Sequence, residues 1–112
     1  MLFLLPFADA FAQADKKTQQ ENWITFAVSM YDKRDFDGAI TMLKSVVAQA
    51  PGSDAAYYYL ALSYLGKGDT DTAEAYFRQA VELDYGNFWY RQRLAALYAA
   101  TKRPELAIDL NE

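Results

Sequence analysis

The sequence predicts an all-α fold, a superhelix of two complete helical hairpins and a partial third. Two observations carry this expectation. The apolar content is Ala, Leu and Tyr more than Val or Ile, a mix that favours helices over strands. A pattern of small and large residues also recurs at a fixed offset of 34 residues, the length of one helix–turn–helix unit. Under that offset Ala27, Ala61 and Ala95 coincide, as do Ala39, Ala73 and Ala107. Phe26 falls with Leu60 and Leu94, and Met30 with Tyr64 and Tyr98. Leu43 lies over Phe77, Val46 over Ala80, Asp35 over Asp69, and Gly52 over Gly86.

The elements follow from N- to C-terminus. Residues 1–14 open with the apolar run Met1–Phe7 and carry Ala12 and Ala14 around Gln13. This fits an export signal cleaved before Asp15, its start lying inside a longer signal because no Lys or Arg precedes the run. Residues 15–19 read as a linker. Unit one covers 20–53, with a first helix over Asn22–Lys33 marked by apolar residues at 23, 26, 27 and 30. Asp35 caps its second helix, which runs to about Ala50 before Pro51-Gly52-Ser53. Unit two covers 54–87. Gly66-Lys67-Gly68 ends its first helix, and Asp69 caps the second as far as about Leu83. Unit three, over 88–112, is partial: a helix to Ala100, then Pro104 in the first turn of a sixth helix, where its missing N–H costs nothing.

Composition narrows the chemistry. The chain has no Cys and no His, which removes thiol nucleophiles, imidazole bases and the usual zinc ligands. No cofactor, metal site or catalysis is expected. A net charge of −4 does not suit nucleic acid. The segment Asp32–Gly38 lacks the oxygen spacing and closing Glu of a calcium loop, and reads as a solvated turn. Gly66–Gly68 is too short for a phosphate loop.

The pattern Trp23-x2-Phe26-Ala27-x2-Met30, then Ala39-x3-Leu43-x2-Val46-x4-Pro51, resembles the tetratricopeptide repeat. Tyr57, Leu60, Ala61, Tyr64, Ala73, Phe77 and Ala80 repeat it, and Leu94, Ala95, Tyr98 and Ala107 begin it again. Three residues depart from it. Tyr85 stands where the family has proline, and Arg91 and Asn111 stand where a large apolar residue is usual. The resemblance implies a solenoid, and the short sixth helix implies that further chain follows or that the open end meets a partner. Together with the signal, it implies an exported protein in the periplasm or at the surface of a Gram-negative bacterium.

By the same resemblance, one stripe of each first helix faces a concave groove. That places Ile24 and Val28, then Tyr58, Tyr59 and Leu62, then Trp89, Gln92 and Arg93 on the binding wall. The expected role is a protein-interaction scaffold for a peptide or helix. The alternatives are a self-associating structural module, with homo-oligomers formed through the open end, and an accessory domain of a larger protein. A subclass of the family clamps acidic chaperone C-termini with Lys, Asn and Arg. The matching positions here are Ile24, Val28, Tyr59, Trp89 and Arg93, and only Arg93 fits.

Overall fold

The structure is a computed structural model and describes residues 5–111. Six α-helices and no strand occur among the described residues: α1 (Leu5–Asp32), α2 (Phe36–Gln49), α3 (Asp54–Gly66), α4 (Thr70–Leu83), α5 (Phe88–Ala100) and α6 (Pro104–Asn111). They pair as α1–α2, α3–α4 and α5–α6, and the pairs stack through α2–α3 and α4–α5. This is the expected solenoid order, in which each unit touches only its neighbours.

Side chains make each boundary. Asp35 and Asp69 accept a hydrogen bond from the backbone N–H three residues on, at 3.0 and 3.2 Å. Ser53 does the same for α3, and Asn87 caps α5 through Trp89 and Tyr90. These caps satisfy N–H groups that a helix start leaves open.

All three within-unit turns share one device. Arg34, Gly68 and Lys102, 34 residues apart, take φ of 65°, 85° and 61°. In each turn this residue donates to the carbonyl three residues back, and the next residue donates to the carbonyl five back: Asp35 to Met30, Asp69 to Tyr64, Arg103 to Tyr98. That is the hydrogen-bond pattern of a left-handed helix stop. Only the middle turn supplies the glycine that this conformation favours.

The first helix differs from expectation. It begins at Leu5, and residues 15–19, read as a linker, lie within it. The physical reason is the absence of any breaker: between Pro6, in its first turn, and Asp32 there is neither Gly nor Pro. The signal reading falls partly on residues 1–4, outside the described residues.

Two cores form. Ala27, Ala39, Leu43, Val46, Ala56 and Leu60 make one, and Ala61, Ala73, Phe77, Ala80, Leu94 and Ala95 belong to the other. The aligned alanines at 27, 39, 61 and 73 are fully buried, so methyl groups set the helix crossings. Gly66 has a separate reason. A Cβ there would lie 2.5 Å from the Phe36 ring, so glycine lets the start of α2 pack on the end of α3.

Candidate recognition surface

The three first helices contribute unequal surfaces. In α3, Tyr58 stacks on Tyr90 of α5 at 4.8 Å between ring centroids and meets Phe77 edge-on at 5.9 Å. Leu62 is 7% exposed. Tyr58 therefore joins units two and three and is half-buried, while Leu62 is buried. Tyr59 lies edge-on to Tyr31 of α1 at 6.4 Å. Burial, and secondarily the neighbouring Tyr58, Asp32 and Tyr31, raise its hydroxyl pKa above the ordinary tyrosine value. Ile24 packs on the first core and Val28 is half-buried.

Helix α5 behaves differently. Trp89 is 69% exposed, and Gln92, Arg93 and Ala96 also face solvent. Residues 89, 93, 96 and 100 share one face by helical spacing. Arg93 makes no hydrogen bond or ion pair among the described residues. It borders a cleft of about 240 Å³ lined by Leu65, Phe77, Arg93, Ala96, Leu97 and Ala100. The α5 side of the cleft is shallow where Ala96 and Ala100 line it, and Ala96 stands where α3 carries Leu62 one repeat earlier. A guanidinium at the mouth of an apolar trough, one turn from an exposed indole, can hold a carboxylate or carbonyl beside an apolar anchor.

The structure thus gathers Trp89, Gln92 and Arg93 on one helix and removes Tyr58 and Leu62 into packing. The sequence reasoning missed Tyr90, which matches Ala56 one repeat earlier and follows no repeat rule. Its hydroxyl donates to Asp54 Oδ2 at 2.8 Å. Burial first, then the Asp54 bond, push its pKa well above the ordinary tyrosine value. Also missed was the carboxylate of Glu74, which accepts from Arg78 at 2.6 Å and from Arg103. Arg78 donates in turn to the Tyr98 hydroxyl at 3.1 Å. Two of the departures from the repeat answer each other, since the Arg91 guanidinium sits 5.3 Å from the centroid of the Tyr85 ring. Arg91 also donates to the Leu110 carbonyl at 3.1 Å, taking up an open carbonyl of α6. No group of residues that could hold a metal ion occurs among the described residues.

The tetratricopeptide repeat family model matches residues 24–90 and 63–112. The chain belongs to the tetratricopeptide repeat family. Its fold is also that of solved MamA structures. One, MamA from residue 41 to its end from Desulfovibrio magneticus RS-1, is 26% identical with a TM-score of 0.70, over 75% of this chain and 48% of that one. A MamA RS-1 double mutant is 24% identical with a TM-score of 0.76, over 81% and 51%. A further crystal structure of MamA is 20% identical with a TM-score of 0.76, over 81% and 53%. The chain therefore spans about half the length of these relatives. No curated protein sequence matches it. Tetratricopeptide arrays are protein-interaction scaffolds, and no helix among the described residues is long and apolar enough to cross a membrane.

Proposed function

We propose that this scaffold binds an extended or helical segment of another protein along α5, and catalyses nothing. The observation that carries the reading is Arg93, a guanidinium with no protein partner among the described residues, at the mouth of the apolar cleft between the ends of α3 and α5. Trp89 supplies the aromatic anchor and Gln92 an adaptable hydrogen-bonding group. This reading centres the wall on α5, since Leu62 is buried and Tyr58 is half-buried against Tyr90.

Peptides selected on the protein from a random display library provide the test. Their binding should shift the emission of Trp89, and both Trp89→Ala and Arg93→Glu should weaken it about tenfold or more. Selected peptides that bind both folded variants as tightly as the parent would place recognition elsewhere.

Export is part of the same proposal. Asp15–Gln19 are exposed on α1, which leaves the chain at the proposed cleavage point accessible. Protein from the complete gene should carry an N-terminus near Asp15 by mass spectrometry. An uncleaved chain would remove the periplasmic assignment.

A further inference from the structure

A second cleft plays no part in the reading above. It measures about 490 Å³ and is lined by Tyr57 of α3 and by Asp71, Thr72, Ala75, Tyr76 and Gln79 of α4. That volume falls within the range of small-molecule sites.

Its wall is aromatic and fixed. Tyr57 and Tyr76 stack at 6.1 Å with 28° between their planes, and Tyr76 continues onto Tyr64 at 5.6 Å and 20°. The three nearly parallel rings form a short stack whose orientation is set by its own packing. Ala75 leaves room beside it. Around it stand polar groups with nothing to bind. The side chains of Asp71, Thr72 and Gln79 and the hydroxyls of Tyr57 and Tyr76 make no hydrogen bond to the protein among the described residues.

The arrangement is confined to the second unit. One repeat earlier the same positions hold Trp23, Asp37, Gly38, Thr41, Met42 and Ser45, and there Asp37 is taken by Lys67 at 2.5 Å. One repeat later Arg91 and Leu110 replace the two tyrosines. Asp71 has no such basic partner, because the residue 34 positions beyond Lys67 is Thr101.

The chemistry selects a ligand class. No Lys or Arg lines the cleft, and Asp71 would repel an anion. A quaternary ammonium needs ring faces on several sides, whereas here the rings stack on one another and stand on one side of the cleft. A proline-rich strand offers few N–H groups for the acceptor-only carboxylate of Asp71. A neutral pyranose has what the cleft lacks: an apolar C–H face to lie on the tyrosines, and vicinal hydroxyls that both donate and accept. Asp71 and Gln79 are planar groups able to bridge adjacent hydroxyls. We infer that this cleft is a binding site for a neutral glycan, one or a few pyranose units long, packed against the tyrosine side of the cleft formed by Tyr57 and Tyr76.

Saturation-transfer NMR on the full chain, with maltotriose, cellotriose and chitobiose as separate probes, tests this. Irradiating the aromatic protons should transfer saturation to the ring C–H protons of at least one probe. The exposed pair Asp71→Asn and Gln79→Ala, checked as folded by circular dichroism, should weaken that probe about tenfold. Absence of transfer to all three glycans would overturn the assignment. So would transfer that survives the double substitution, or tyrosine shifts caused by a polyproline peptide but by none of the glycans. The probes are sugars and the site lies on α4, so failure here is distinct from failure of the α5 peptide site.

Discussion

The seam between units one and two and the seam between units two and three use one backbone plan with different chemistry. In the first, Leu60 is fully buried with Leu43, Val46 and Ala56. The ion pair across it, Lys67–Asp37, is solvated on both sides, and such pairs contribute little. In the second, Leu94 is buried with Phe77 and Ala80, but a polar lattice is added. Tyr90 binds Asp54 across the seam, and the nearly buried Glu74 gathers Arg78 and Arg103. The difference teaches that the repeat's apolar positions are enough to stack two hairpins. The second seam has further contacts that no repeat rule demands, and they fix α5, the helix that presents the candidate recognition surface.

The comparison can be broken most sharply at its apolar end. Leu60→Ala should cost about 2–5 kcal/mol in urea unfolding, because the site is closed on all sides. A loss under about 1 kcal/mol would mean the first seam is not held by its core. Ala61→Leu should cost about 1–3 kcal/mol by overpacking a fully buried crossing, and a neutral result would move the repeat register.

The polar lattice should matter less. Glu74→Gln keeps the volume but removes the charge shared by two arginines. A cost of about 1–2 kcal/mol is expected, since Arg78 and Arg103 are partly exposed and remain hydrated. Tyr90→Phe should cost about 1 kcal/mol through its bond to Asp54. It also sharpens the comparison through pH. The folded-state pKa of Tyr90 is raised, so its stabilising contribution is complete below the unfolded tyrosine value of about 10. It declines as pH rises above that value towards the folded-state pKa. Alkaline unfolding should therefore be steeper in the parent than in Tyr90→Phe, and identical profiles would separate Tyr90 from the seam's stability.

The smallest effect concerns the turns. Lys102→Gly relieves a left-handed φ and should gain about 1 kcal/mol. Arg34→Gly should gain less, because the Arg34 guanidinium lies 5.5 Å from the Phe36 ring centroid and that contact would be lost. Equal gains in thermal unfolding would show that the cation–ring contact contributes nothing.

By itself the sequence determined the number of hairpins, their boundaries from Asp35 to Pro104, and the alanines at the crossings. These are short-range matters, since spacing, capping and small-residue placement act within one unit or between neighbours. It also placed Trp89 and Arg93 on one face of α5, since that needs only helical spacing. Only the tertiary structure decided which aromatics remain free. Tyr58 and Trp89 look alike as exposed positions on first helices, yet one meets Tyr90 across the seam and the other meets solvent and Phe88. The partner of each lies in no fixed register. Tyr90 reaches Asp54 across 36 residues and Arg103 reaches Glu74 across 29, distances that match no period of the repeat. Side-chain reach across a packed interface set those pairs, and that is a property of the assembled fold.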